Sequence, residues 1–224
     1  MRILYLSLIV VIVDQVSKLL VKGFSIPFLN FYYEGMDHGQ RIPIIGDFFR
    51  LTFIENPGMA FGLDPGLDFK IWISLFSLAA SIGLVFYLYH IRNEIKSLRV
   101  AIAFILGGAV GNLIDRMFYG VIFDYAPLFY GKVVDFLDFD FFNVTIFGRN
   151  YDRWPIFNIA DSAVTIGVII LLLFYKKHQK AEEVQHETEV QPVPDSADEE
   201  NQSENPNENE LDNGEADTGK KIPL

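Results

Sequence analysis

Four runs of apolar residues, roughly 3–21, 70–90, 100–119 and 159–175, set the terms on which this chain folds. A helix rises about 1.5 Å per residue and the hydrocarbon core of a bilayer is about 30 Å thick, so each run approaches the length of a membrane span. The first run continues through "VDQVSKLLV" without a small-residue cleavage site and reads as a retained helix rather than a secretory signal. The expected fold is an α-helical integral membrane protein with four transmembrane helices.

Charge gives these helices a direction. Arg92, Lys96 and Arg99 lie in the short connection between the second and third runs, and Lys176, Lys177 and Lys180 follow the fourth. Short positive connections stay in the cytoplasm, so both termini are expected there, with the long segments of about 22–69 and 120–158 outside. Lys22, Arg41 and Arg50 then lie outside too, within segments long enough for the rule to weaken. The formal net charge of −11 belongs to the end of the chain: residues 1–180 hold 16 Lys+Arg against 15 Asp+Glu, and residues 181–224 hold 2 against 14. A segment so acidic and so poor in apolar residues lacks the means to bury a core. The expected organisation is a membrane domain over 1–180 and a disordered acidic cytoplasmic tail over 181–224. Within the first outer segment "DFFRLTFIEN" (47–56) alternates like a short strand and "NPG" (56–58) forces a turn, which predicts a small β-containing outer subdomain.

The residue inventory narrows the chemistry. With no Cys in the chain, thiol nucleophiles and Cys-based metal sites are excluded. His38, His90, His178 and His186 are scattered, and neither H-E-x-x-H nor G-x-S-x-G occurs. Asp and Asn remain, and ionisable groups at membrane depth are costly enough that each is a functional candidate.

Four stretches supply them. In "VDQVSK", Asp14 and Lys18 sit at i, i+4 with the acid first, as a helical ion pair prefers, and a structural pair anchoring the first helix is the plainer account. In "GGAVGNLIDR" (107–116), Gly107 and Gly111 make a close-packing face, while Asn112 and Arg116 share one side a turn apart. A snorkelling arginine at a helix end is the plain alternative there. Asp115 lies about 100° around the helix from Arg116 and need not join the same cluster. "GKVVDFLDF" (131–139) sets Asp135 among apolar, β-prone neighbours. "FNIADSAVTIG" opens the fourth run, with Asn158 able to cap its helix and Asp161 at the third position, where a carboxylate favours the helix dipole. The expected topology lets Asn112, Arg116, Asp135 and Asp161 meet near the outer leaflet. Two carboxylates about 3 Å apart do not both ionise comfortably, so a dyad shares a proton and offers an acid and a base together. That chemistry activates water for peptide hydrolysis.

"DQVSK", "ENPGMAFG", "GGAVGNLIDR", "VVDF" and "WPIFNIADSAVTIG", in this order and topology from residue 3 to about 175, resemble the bacterial lipoprotein signal peptidases, also called signal peptidase II. The resemblance implies an aspartyl endopeptidase of the bacterial cytoplasmic (inner) membrane, its site near the outer leaflet. It would remove the signal peptide of prolipoproteins just before a diacylglyceryl-modified cysteine. It assigns the catalytic dyad to Asp135 and Asp161 and makes Asn56, Asn112, Arg116 and Asn158 contacts to lipid, peptide backbone or the dyad. Asp14 and Lys18 become site-supporting groups. It implies no metal and no cofactor, no nucleic-acid partner, contact with membrane lipids and a monomeric enzyme. Two stretches depart from the pattern: "MFYGVIFDYAPLFYGK" intervenes between Arg116 and "VVDF", bringing a second candidate in Asp124, and "LDFDFFNVTIFGRNYDR" is longer than typical. Asp124 has the expected spacing and Asp135 the expected local sequence; a loop insertion is the cheaper change, which favours Asp135. A small ion or solute carrier with an intramembrane Asp/Asn/Arg site is the alternative, and it would show a midplane site and an internal repeat.

Overall fold

The computed structural model of the chain describes residues 2–58, 67–140, 144–146, 149–151 and 153–190. The breakers of "MAFGLDPG" at 59–66, part of the long stretch after Asp135 and the tail from 191 lie outside those residues. The chain divides into two units, Met1–Glu183 and Val184–Leu224, and the site lies within the first.

The helices are α1 (Leu4–Lys22), α2 (Leu67–His90), α3 (Lys96–Ile114) and α5 (Ile159–Val190), with a π-turn at Asp115–Tyr119 and a short helix α4 (Gly120–Ile122) extending α3. Among the described residues three helical stretches are long and apolar enough to cross a membrane, Leu4–Lys22, Phe69–His90 and Lys96–Ile122, and Ile159–Phe174 is a shorter apolar helix. α5 runs on to Val190, past residue 180, where composition set the start of disorder. "KAEEVQHETE" is built largely from good helix formers, so an established helix propagates through it.

α1 has the inside-out pattern of a membrane helix. Ser7, Val10, Asp14, Lys18 and Val21 are buried, whereas Tyr5, Leu8, Ile9, Ile12, Val16 and Leu20 are exposed. Its polar face lies against α3, where the expected glycine face operates. A Cβ on Gly107 would stand 2.7 Å from Val10 Cβ, and one on Gly111 would stand 2.6 Å from an Asp14 carboxylate oxygen. Gly108 and Gly167 make the same kind of close approach between α3 and α5.

At the end of the bundle where α1 and α3 finish and α5 begins, β3 (Arg41–Ile45), β4 (Phe49–Asn56) and β5 (Val133–Phe139) form an antiparallel sheet in the order β3-β4-β5. β4 realises the strand expected at 47–56. Two hairpins accompany it, β1 (Phe24–Ile26) with β2 (Phe31–Tyr33), and β6 (Val144–Ile146) with β7 (Arg149–Tyr151). Val21, Phe53, Tyr119, Val134 and Phe136 form one buried cluster that fastens α1, the sheet and the α3 extension together. Phe157 then bridges to Leu137 of β5, so the chain enters α5 directly from the sheet.

The glycine packing gives a contrast to measure. Gly111→Ala should destabilise the protein by about 1–3 kcal/mol, because the added methyl meets a fixed carboxylate. Gly83→Ala on α2, with open space around it, should be neutral or mildly stabilising. Thermal unfolding in detergent reads both, and equal effects would contradict the packing described.

Candidate active site

The first turn of α5 is a reciprocal cap. The Asp161 N–H donates to Asn158 Oδ1 at 2.9 Å, and the Asn158 N–H donates to Asp161 Oδ2 at 3.3 Å. This is the capping-box arrangement with Asn and Asp in place of Ser and Glu. The cap leaves the other carboxylate oxygen free to work: Asp161 Oδ1 accepts from Asn112 Nδ2 at 2.8 Å. The structural and the chemical reading of Asp161 are therefore compatible.

Asp135 approaches from β5, where it pairs with Ile54 of β4. It is 3% exposed, and its two oxygens accept from Asn158 Nδ2 at 2.7 Å and Asn56 Nδ2 at 3.1 Å. Asn158, fully buried, thus touches both aspartates, with its side-chain amide on one and its backbone and carbonyl on the other. Burial, and then the charge of Asp161, push the Asp135 carboxyl up to about 7, against the opposing pull of Asn56, Lys18 and Asn158. Asp135 is thus brought close to its titration point at neutral pH.

Behind this pair lies a buried ionic layer. Lys18 Nζ bridges Asp14 at 2.9 Å and Asp115 at 2.8 Å, all three side chains being inaccessible to solvent, and also donates to Asn112 Oδ1 at 2.9 Å. The second oxygen of Asp14 accepts the N–H of Ala160 at 2.8 Å, and Asp115 Oδ2 accepts the N–H of Val134 at 3.1 Å. Each of these acids therefore grips the backbone one residue before a site aspartate. Gln15 closes the layer, donating to Asp115 Oδ1 at 2.9 Å and accepting from the Tyr119 hydroxyl at 3.0 Å.

The expected cluster of Asn112, Asp135 and Asp161 is brought together, with Asn56, Asn158, Asp14 and Lys18 joined to it. Arg116 is partly buried, with its charge in electrostatic reach of Asp115, Asp161 and Asp135. Asp115 corrects the sequence reading. Its 100° separation from Arg116 does not exclude it, because the cluster wraps around the end of α3: Asp115 meets α1 and β5, while Asn112 meets α1 and α5. Gln15 and Tyr119 were also missed; Gln15 sits inside "DQVSK", between the two residues singled out. Asp124 lies in an exposed turn at φ 55, outside the network. The inserted segment returns by close approach, the Gly131 N–H donating to the Arg116 carbonyl at 2.9 Å, so Val133 to Phe136 resume beside β4 despite the extra length.

Two clusters brace the strands around the site. Glu55, next to Asn56, ion-pairs with Lys22 and with Lys132 at 3.1 Å; burial pushes its carboxyl up, but the two ammoniums hold it below the ordinary range. Asp138 accepts from Thr52 and Arg153, each at 2.6 Å, tying β5 to β4 and to the segment that leads into α5. Among the described residues no group of three or more His, Cys, Asp or Glu is arranged to hold a metal ion.

If Lys18 is the counter-ion of this layer, Lys18→Met leaves two buried carboxylates without a cation and should cost about 3–5 kcal/mol. Unfolding measurements on the purified protein check this; a variant within about 0.5 kcal/mol of the parent, the usual range for a surface change, would contradict it.

A sequence profile described as Signal peptidase (SPase) II matches residues 6–176. The lipoprotein signal peptidase of Pelodictyon phaeoclathratiforme is 40% identical over 185 residues, covering 82% of this chain and 95% of its own. That of Chlorobaculum parvum is 39% identical over 172 residues, covering 77% and 93%. A bacterial membrane enzyme solved by the in meso method at 2.3 Å superposes with a TM-score of 0.53 at 31% identity, over 80% of this chain and 89% of its own. With the match running through every element that carries the Asp135–Asn158–Asp161 network, the chain belongs to the signal peptidase II family and is an aspartic-type membrane protease.

Proposed function

We propose that this enzyme cleaves the signal peptide from diacylglyceryl-modified prolipoproteins just before the lipidated cysteine, with Asp135 and Asp161 as its catalytic dyad. The observation that carries the assignment is the single asparagine, Asn158, hydrogen-bonded to both carboxylates. Asp135 holds the shared proton, and Asp161 accepts one from the attacking water as its oxygen bonds to the scissile carbonyl carbon. Asp135 protonates the carbonyl oxygen, giving a neutral tetrahedral diol. On collapse the proton on Asp161 passes to the leaving nitrogen, the C–N bond breaks, and Asp135 recovers its proton from the diol. Asn56 and Asn112 hold the outer oxygen of each aspartate, and the Arg116 fork is suited to peptide or ester carbonyls.

The wider reading follows the same lines. Four membrane helices, with the apolar part of α5 as the fourth, set the site near the outer leaflet of the bacterial inner membrane, and both termini in the cytoplasm. The acidic stretch from 181 onwards is a cytoplasmic appendage to the peptidase domain of 1–180. The enzyme acts as a monomer, and its partners are lipid-modified substrates and membrane lipids. A carrier is disfavoured because the site groups gather at one end of the bundle, against the sheet, rather than at a midplane.

Cleavage of a synthetic diacylglyceryl-cysteine signal peptide by the purified chain tests the assignment. Asp135→Asn should abolish turnover and Asp124→Asn should leave it near normal; the reverse pattern would move the dyad to Asp124.

The pH profile follows from the raised Asp135 value. A carboxyl at about 7 holds its proton below that pH and loses it above, so kcat/KM should fall on the basic side with an apparent pKa near 7. The native state also binds this proton more readily than the unfolded chain does, so the group's stability contribution declines as pH rises from the ordinary Asp range towards about 7. An activity flat through pH 9, about two units above that value, would contradict a dyad holding one proton.

A further inference from the structure

The β1–β2 hairpin has no part in the site, and its surface is unusual. Phe24 to Tyr33, "FSIPFLNFYY", carries no charged residue. Phe28 is 85% exposed and Tyr32 71%, with Leu29, Phe31 and Tyr33 also exposed. A two-stranded ribbon is marginal in water even with one apolar face to bury, and this one shows apolar side chains outward along β2 and its tip. Yet its root is tightly built. The Met36 N–H donates to the Val21 carbonyl at 2.7 Å, the Gly23 N–H donates to the Leu19 carbonyl at 2.8 Å, and Gly23 and Gly35 cross so closely that neither has room for a Cβ. Beside the root Lys22 Nζ lies 4.4 Å from the Phe123 ring centroid of the inserted segment after Arg116.

What covers the hairpin follows from where it is attached. α1 is long and apolar enough to cross a bilayer, and its exposed stripe ends at Leu20, four positions before β1 begins. The tip at Phe28 is six residues from Lys22, within about 20 Å even if fully extended, so the ribbon cannot leave the region where the helix emerges. Amphipathic aromatic side chains favour that boundary, where strand pairing satisfies the inner backbone groups and headgroup-level water serves the two outer edges. We propose that the Phe24–Tyr33 hairpin is a rigid anchor inserted into the lipid headgroup and upper acyl region, fixing the depth of the adjoining site. With no basic residue on the ribbon, insertion is driven by apolar burial and is insensitive to anionic lipid.

The absence of native cysteine makes the test direct. Phe28→Cys and, separately, Tyr32→Cys are labelled with an environment-sensitive nitrobenzoxadiazole probe in the full chain, reconstituted in phosphatidylcholine nanodiscs. Leu8→Cys on the lipid stripe of α1 and Glu94→Cys in the exposed α2–α3 connection serve as references. Probes at 28 and 32 should be quenched severalfold more weakly by aqueous iodide than at 94. They should be quenched strongly by lipids doxyl-labelled near the headgroup, unchanged when anionic lipid is added. Iodide quenching equal to that at 94 would overturn the anchor. So would protection from both iodide and doxyl lipids, which would mark burial against another protein or a second copy.

Discussion

A buried ammonium must find negative charge, and Lys18 finds it on two helices at once, in Asp14 of its own α1 and Asp115 at the end of α3. The rest of the site hangs on this triad. Each acid also accepts a backbone N–H beside an aspartate of the pair: Asp14 takes that of Ala160 on its second oxygen, and Asp115 takes that of Val134 on the same oxygen that meets Lys18. The cost of removing three charges from water is thereby offset by fixing a helix start and a strand to one point. Lys18 itself reaches forward to Asn112, whose amide donates to Asp161, so the buried layer and the aspartate pair share that residue. The small-residue face of α3 makes this possible, since a side chain at Gly111 would occupy the place of the Asp14 carboxylate.

The two aspartates reach the same place by different means. Asp161 belongs to a helix cap, where its position is fixed by local backbone geometry and Asn158. Asp135 belongs to a strand whose register is fixed by β4; its neighbours Val134 and Phe136 turn to the opposite, apolar face, and its own buried carboxyl meets the amides of Asn158 and Asn56. Both accept hydrogen bonds, but Asp161 is partly exposed at a helix start whereas Asp135 is almost wholly buried. Pairs of acids with environments that differ in this way divide the work of acid and base.

Much of this was legible in the sequence, where local pattern and function coincide. The capping signature predicts Asn158 against Asp161, the i, i+4 order predicts Asp14 with Lys18, and the local sequence favours Asp135, which joins the network where Asp124 does not. What was not legible depends on three-dimensional closure. A helical wheel separates Asp115 from Arg116, but the end of α3 is surrounded by α1, β5 and α5, so residues on several of its faces join one cluster. The aromatic hairpin escaped notice because Pro27 and the short strands give no clear period of two. The continuation of α5 to Val190 shows helix propensity extending an element into a segment whose charge alone suggested disorder.

The central claim is that the pair holds one proton at neutral pH and that Asp135 carries it. Infrared difference spectroscopy between about pH 6 and about pH 8.5, either side of the value of about 7, observes that proton through the carbonyl stretch of a protonated carboxyl. The wild-type chain should lose one such band as pH rises, and Asp135→Asn should lack that titrating band while keeping the rest of the spectrum. A spectrum without a titrating carboxyl band, or a band that persists in Asp135→Asn, would contradict the account.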